Sequence, residues 1–307
     1  MIKYPKVIAG LSLAAALYAP LISADEDAWL STTLEVTGGL DYNVGNGAKH
    51  RDKVEDHFGE AVLTVGHEFF ITEYHAVNLQ LDMNTRQFKD INGLDHWGGG
   101  GEIAYFMQPG RHFYTPVIQV NASLHEEVYN PDQRSNRLTK GQLVIMERMS
   151  DRISANTGIE YSQRDANAEI FDLEEYRAFF ALDLMLTQNI TLYGAFSFIR
   201  GDITSSAQVQ FCNGALATDI YDLVNNAHAI ATDKALSEAF CGTWLTYKLE
   251  ADTQTYRTGI NYALSHDWSL DISGLYAHAR VNADAGTLYG NIDYERAVFL
   301  ISLFAGF

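Results

Sequence analysis

The chain has 307 residues, of which 39 are acidic and 21 are basic, so its formal net charge at pH 7 is −18. Nucleic-acid binding needs a basic surface, and this charge balance therefore excludes nucleic acid as a partner. After residue 24 no run of 18 apolar residues occurs, so membrane crossing by helices is excluded on length.

The first 24 residues have the pattern of a secretory signal peptide. Two lysines precede an apolar run over residues 7–22, and Ser23-Ala24 offers a small-residue cleavage site. A transmembrane helix is the alternative, but the run is short and contains a glycine and a proline. We expect an exported protein whose mature chain, residues 25–307, begins near Asp25.

From Leu30 onward the dominant hydrophobic period is two. In Leu30–Val44 the even positions are mostly apolar and the odd positions are polar or glycine. Strands in soluble proteins usually have about five or six residues, whereas a tilted strand that crosses a membrane needs roughly 9–11. The pattern predicts twelve strands, at residues 29–44, 58–71, 76–88, 98–107, 112–128, 140–149, 152–163, 174–187, 190–200, 253–264, 268–281 and 292–307.

Short and long connections alternate between these predicted strands. Each odd-numbered strand is followed by a long polar segment and each even-numbered strand by a tight turn. Outer-membrane barrels place short turns on the periplasmic side and long loops outside. A sheet in lipid must close on itself because lipid cannot satisfy unpaired backbone groups. The alternation therefore predicts a closed barrel with both termini on the periplasmic side.

The last strand carries a further signal. Phe299, Ile301, Leu303 and Ala305 alternate down to a terminal Phe307. This ending resembles the C-terminal signal strand of bacterial outer-membrane β-barrel proteins, which is read by the barrel assembly machinery. The resemblance implies a Gram-negative outer membrane and contacts with outer-membrane lipid and lipopolysaccharide. The opposite face of the strand is also rather apolar, so we expect it to pack against something inside the barrel.

Aromatic side chains fall at the predicted strand ends, where amphipathic rings favour the headgroup layer. Ordinary core aromatics are the alternative. The predicted periplasmic set is Trp29, Phe70, Phe113 and Trp268, and the predicted outer set is Tyr42, Tyr161, Tyr176 and Tyr256.

One connection, residues 201–252, is far longer than the others, and loops of this length usually have a role. Apolar residues at spacings of three and four predict a helix over residues 216–240. Cys212 and Cys241 flank it, and an exported protein favours a disulfide between them. The loop is interpreted as a stapled lid, inside or above the barrel mouth, or as a solvated surface loop. Trp244–Ala251 alternates as an upward extension of the tenth strand, with a bulge between.

These patterns predict a twelve-stranded antiparallel transmembrane β-barrel with one long helical, disulfide-bonded extracellular loop. Passage of small solutes, with a preference for cations, is the function that we expect. A closed structural or adhesion barrel, filled by paired charges, is an alternative. The residues expected to line the lumen are Glu35, Asp82, Arg86, Glu102, Glu160, Arg164, Glu175, Arg177, Asp183, Arg257 and Asp271.

A lipid hydrolase is the alternative from another class. Asn121, Ser123 and His125 share one face of one strand, and hydrolysis would need the imidazole within hydrogen-bond reach of the hydroxyl. Side chains two residues apart on a strand are about 7 Å apart, which is borderline. The histidines show no zinc-ligand spacing, so no metal and no cofactor is expected.

Overall fold

The computed structural model describes residues 30–110, 112–281 and 292–307. The predicted signal peptide, Trp29 and the whole of the predicted 282–291 connection lie outside these residues. The strands are β1 (Ser31–Asp41), β2 (Asp56–Thr72), β3 (His75–Phe88), β4 (His96–Met107), β5 (Val117–Tyr129), β6 (Asn136–Arg148), β7 (Ile153–Ala166), β8 (Leu173–Met185), β9 (Ile190–Gln210), β10 (Ala229–Thr232), β11 (Thr243–Ala263), β12 (Trp268–Val281) and β13 (Asp293–Gly306). The α-helices are α1 (Tyr221–Asn226) and α2 (Lys234–Ala239).

Twelve of the strands form a closed antiparallel barrel. Neighbours in sequence pair from β1 to β9, β9 pairs with β11, and β11 to β13 continue the ring. The ring closes where β13 pairs with β1 along Thr33–Asp41. The short β10 lies beside the upper part of β11 and is outside the ring. In the described part of the chain, no helix is both long and apolar enough to cross a membrane.

The side chains alternate across the barrel wall as the sequence pattern predicts. On β3, the outward Leu79, Leu81 and Met83 are 44%, 69% and 64% exposed, whereas their polar neighbours on the strand face inward. Tyr161 and Tyr176 are in contact with tilted rings whose centroids are 5.1 Å apart, and both are exposed on the outward face. A continuous outward apolar surface of this kind suits hydrocarbon. Closure of the ring meets the second requirement of lipid, because it leaves no strand edge with unpaired backbone groups.

Two predicted strand boundaries are wrong for identifiable reasons. β5 begins at Val117 and not at residue 112, because Pro116 has no N–H for the ladder and residues 112–115 form a turn. β9 is 21 residues long and extends well beyond the predicted end at residue 200. β11 is also 21 residues long and confirms the upward extension predicted at Trp244–Ala251. They pair with each other up to Gln210 and Thr243, so the true loop covers residues 211–242.

The single helix predicted for residues 216–240 is also wrong. The segment is helical only in α1 and α2, and Ala229–Thr232 between them is the strand β10. The reason is that β11 continues above the end of β12 and offers a free edge, to which β10 pairs. Backbone pairing with that edge outweighs the helical periodicity of the local sequence. The predicted disulfide between Cys212 and Cys241 is confirmed.

Candidate functional site: the barrel interior and its outer cap

A network of polar side chains follows the inner wall from β3 to β8. His125 Nε2 lies 2.7 Å from Asp82 Oδ1. Gln142 connects two neighbours, because it accepts from Asn121 at 3.2 Å and donates to Glu160 at 3.4 Å. The network continues to Arg177, 3.7 Å from Glu160, and Glu102, Arg164 and Glu175 belong to the same charged group.

A run of glycines in β4 makes room for this network. Residues 98–101 are four consecutive glycines, and β4 lies between β3 and β5. A Cβ atom on Gly100 would lie 2.4 Å from His125 Cδ2. The imidazole therefore lies across the β4 backbone and reaches Asp82 two strands away. This position needs glycine because of the close approach.

Further charged groups occupy the remaining inner wall. Arg86 donates to Glu60 at 2.7 Å and lies over the Phe58 ring, 4.8 Å from its centroid. Tyr193 donates to Asp271 at 2.9 Å, and Arg257 to Ser273 at 3.3 Å.

The other two predicted carboxylates have hydroxyl partners. Thr37 donates to Glu35 at 3.0 Å, and Ser154 donates to Asp183 at 3.4 Å. All eleven residues predicted for the lumen thus lie on the polar face of their strands. Their role in solute passage stays a prediction.

Several of these inward groups keep contact with solvent space. The side chains of Arg86 and His125 are 32% and 27% exposed, whereas Arg177 is 12% exposed. Exposure of a side chain on the inner face means that space large enough for water adjoins it. The interior is therefore not filled by side chains at the level of Arg86 and His125.

The sequence analysis missed apolar clusters on the inner face. Near the periplasmic end, Val117, Val144 and Met146 are buried with Phe179, and Phe106 packs against them. Phe304 on β13 is also buried, at 3% exposure. Phe304 lies on the face of the last strand that the sequence predicts to pack inside the barrel, and Val298 and Leu300 on that face are half-buried. These residues resemble lipid-facing ones in sequence, and only the register shows that they point inward.

The upper ends of β9 and β11 form, with the loop between them, a structure over the outer mouth. We call residues 203–251 the outer cap. Tyr247, Leu249 and Ala251 are at most 1% exposed and lie on the same strand face as Arg257. They pack with the upper ends of β12 and β13 and with Leu223 of α1. The sequence predicts a bulge between the extension at Trp244–Ala251 and the strand below it. The pairing of β11 with β9 has no bulge there, and its register shift lies at Thr243/Trp244.

The second face of the outer cap packs on the loops of the opposite wall. Leu236 of α2 and Trp244 are buried with Ile91 and Leu94 of the β3–β4 loop. The approach is close, since a Cβ atom on Gly93 would lie 2.6 Å from the Cα of Ala235.

Asp233 lies at the centre of this packing, with its side chain 1% exposed. One carboxylate oxygen accepts from Ser206 and Thr246, both at 2.8 Å, and from Arg134 of the β5–β6 loop at 2.9 Å. The other accepts from the backbone N–H of Leu236 at 3.2 Å and so caps α2. Burial alone would raise the pKa of Asp233, but the Arg134 charge and these donors outweigh burial and lower it.

A second ion pair joins the outer cap to the β1–β2 loop. Arg51 donates to both carboxylate oxygens of Asp219, at 2.7 and 2.5 Å, and this pair is exposed. Next to it, Asp52 is buried and accepts from the Gln208 backbone N–H at 3.2 Å. Burial raises the pKa of Asp52. The outer cap thus touches the β1–β2, β3–β4 and β5–β6 loops, and β10 contacts the β7–β8 loop.

The residues of the hydrolase alternative are not assembled as a hydrolytic site needs. His125 contacts Asp82, Asn121 contacts Gln142, and among the described side chains no hydrogen bond joins His125 to Ser123. Within residues 30–110, 112–281 and 292–307, no group of three His, Cys, Asp or Glu side chains could hold a metal ion.

Comparison with known proteins supports the architecture. An outer-membrane channel from Pseudomonas putida F1 superposes with a TM-score of 0.53 at 11% identity, over 90% of this chain and 95% of that one. The fold is that of a bacterial outer-membrane β-barrel. The barrel and its outward apolar surface place the chain in the outer membrane.

Two weaker likenesses were also found. KdgM porin matches with a TM-score of 0.43 at 8% identity, over 90% of this chain and 99% of that one. LpxR from Salmonella typhimurium matches with a TM-score of 0.38 at 9% identity, over 88% and 99%. No family model matches the sequence, and no curated protein matches it.

Proposed function

We propose that the protein is an outer-membrane channel for small polar solutes and that the outer cap restricts entry from outside. One observation carries the proposal: inward ionisable groups of the barrel, among them Arg86 and His125, adjoin solvent space. A barrel that served only as a scaffold could fill this space with apolar side chains, as it does near Met146. Charged inner walls are how channels select solutes.

A preference for cations is part of the proposal. Seven of the eleven residues predicted for the lumen are carboxylates and four are arginines. The chain as a whole carries a net charge of −18. A cavity with excess negative charge raises the local concentration of cations.

The test is conductance of the refolded protein in a planar lipid bilayer, with the reversal potential measured across a KCl gradient. We expect discrete current steps and a reversal potential of the sign that cation flow gives. Glu102→Gln should lower this selectivity, because Glu102 belongs to the inner charged network. Glu126→Gln is the matched control, since Glu126 is 62% exposed and pairs with Arg137 at the surface.

Absence of current in every condition would refute the channel and favour the closed barrel. In that case lipid hydrolysis is assayed next, with Ser123→Ala and His125→Ala as the variants that the hydrolase alternative requires to be inactive.

We also propose that the last strand directs assembly by the barrel assembly machinery. Phe307 is 75% exposed, and the outward row above it contains Phe299, Ile301 and Leu303. Deletion of Phe307 should lower the amount of folded protein in the outer membrane, measured by the heat-dependent shift of the folded band on a gel. An unchanged amount would contradict this role.

A further inference from the structure

We propose that the Arg134–Asp233 ion pair determines whether the outer cap stays closed over the barrel mouth. The structural part of this inference is independent of transport, and its consequence for current rests on the proposed function. The two residues come from different segments around the mouth: Asp233 precedes α2 in the outer cap, and Arg134 belongs to the β5–β6 loop.

The Asp233 side of the pair is fixed by the outer cap itself. Ser206 of β9, Thr246 of β11 and the Leu236 N–H all donate to its carboxylate. These three donors orient the charge but do not neutralise it. A buried carboxylate needs a cation partner as well as hydrogen bonds, and Arg134 supplies it.

The Arg134 side is fixed by the barrel. Its guanidinium lies over the Phe171 ring of the β7–β8 loop, 4.2 Å from the centroid. Its backbone carbonyl accepts from Asn136 Nδ2 at 2.8 Å, and the same amide donates to Glu127 at 3.0 Å. Glu127 in turn interacts with Arg164 of the inner wall. The pair therefore connects the outer cap to the charged interior.

Other contacts between the outer cap and the loops are of different kinds. Arg51 and Asp219 are 33% and 46% exposed, and exposed ion pairs contribute little because water and salt screen them. The contact between Gly93 and Ala235 is apolar packing. Among the described ion pairs that join the outer cap to other loops, Arg134–Asp233 is the one with a fully buried carboxylate. Removing one partner leaves a buried, unpaired charge, and opening the outer cap hydrates that charge.

Trypsin provides a direct readout of this opening. Lys234 is the only lysine or arginine between Cys212 and Cys241, and it follows Asp233 in the chain. A cut there leaves two fragments that the disulfide holds together, so they separate only on a reducing gel. Folding of each variant is checked by the heat-dependent gel shift, which reports the barrel and not the outer cap.

We expect Arg134→Gln to raise the rate of cleavage after Lys234 by about tenfold or more. Arg137→Gln is the matched control: it removes the same charge from an exposed pair on β6 and should leave the rate unchanged. The double variant Arg134→Gln/Asp233→Asn removes both charges and should bring the rate back toward that of the wild type. Recovery in the double variant identifies the pair and not merely a loss of packing.

An Arg134→Gln rate equal to the wild-type rate would overturn the inference, as would equal acceleration by Arg137→Gln. Single-channel recordings of the same variants separate this inference from the channel itself. A larger mean conductance in Arg134→Gln supports both. Faster cleavage without current in any variant retains the ion pair as the closing contact and refutes the channel.

Discussion

The two halves of β11 share one backbone and differ in which face is apolar. From Thr253 to Ala263 the apolar side chains point outward, with Tyr256, Ile260 and Tyr262 between 37% and 48% exposed. From Thr243 to Ala251 the buried apolar side chains Tyr247 and Leu249 point inward. From Trp244 onward, the pairing of β11 with β9 keeps one register through both halves.

The difference shows that the surroundings of a strand segment determine which of its faces carries the apolar side chains. The lower half has hydrocarbon outside and charged groups inside, so its apolar residues face out. The upper half stands above the membrane and has the helices and loops of the outer cap to pack on. Its stability therefore comes from protein–protein packing, and we expect it to open without unfolding the barrel.

The largest expected effect tests the upper half. Tyr247→Ala should destabilise the closed outer cap by about 3–5 kcal/mol, because the side chain is fully buried and truncation leaves a cavity. Hydrogen exchange should show lost protection in residues 203–251 and unchanged protection in β3. Tyr247→Phe is the control and should be near neutral, because the phenol oxygen has no hydrogen-bond partner among the described residues. Protection retained in Tyr247→Ala would refute the separate stability of the two halves.

Reduction of the disulfide should act on the same half. Cys212 and Cys241 are 29 residues apart, and a crosslink of this span stabilises the ordered loop by about 3–4 kcal/mol in the chain-entropy model. We expect the Cys212→Ser/Cys241→Ser variant to lose exchange protection in residues 211–242, with the unfolding temperature of the barrel unchanged. A large fall in that temperature would show that the halves unfold together.

The lower half is tested from its lipid face. Ile260→Arg should cost about 2–4 kcal/mol of folding free energy, measured by denaturant titration in lipid vesicles, because it places a charge in the hydrocarbon. Gln254 lies on the same outward face of β11, two residues from Tyr256 toward the outer end of the strand. Gln254→Arg should therefore cost only about 0–1 kcal/mol, because the charge lies near the membrane interface. Equal costs at both positions would contradict the assignment of the membrane to the lower half.

The smallest expected effect is a dependence of outer-cap opening on pH. The pKa of Asp233 is lowered by Arg134, so its ionised form stabilises the closed state above the ordinary aspartate pKa, and this contribution is lost as the pH falls through the lowered value. Asp52 acts in the opposite sense, because its raised pKa favours the closed state as the pH falls. Exchange measured at successive acid pH values should show opening below about pH 4, and Asp233→Asn should weaken this dependence. If Asp233→Asn left the pH dependence of opening unchanged, other titratable groups would be responsible for it.

Much of the barrel could be predicted from the sequence because lipid imposes a strict alternation on one strand face. The strand β10 within the outer cap escaped prediction because nothing in residues 216–240 records that β11 offers a free edge to Ala229–Thr232. Local periodicity favoured a helix, and pairing between distant strands decided otherwise. The same applies to the inner apolar cluster around Met146, whose direction depends on register.

For the candidate site, residue types were predictable and partners were not. Asp82 and His125 could each be assigned to a polar face, but their contact needs the two strands to be aligned around β4. The glycines at residues 98–101 were an available signal, because consecutive glycines in a strand indicate a close approach by a neighbour.

The closing seam of the barrel determines how the chain can reach this structure. Thr37 and Ser302, 265 residues apart, share a hydrogen bond of 2.6 Å across the seam, and the backbones of Thr32 and Phe307 pair beside it. Loop closure over such a span is costly in entropy, and contacts of this separation form slowly. Until the final strand is in place, β1 and the growing end both expose unpaired edges, which lipid penalises and which invite aggregation. We therefore expect ring closure to be a late step in the folding of this protein and the step at which an assembly factor that holds both edges would act.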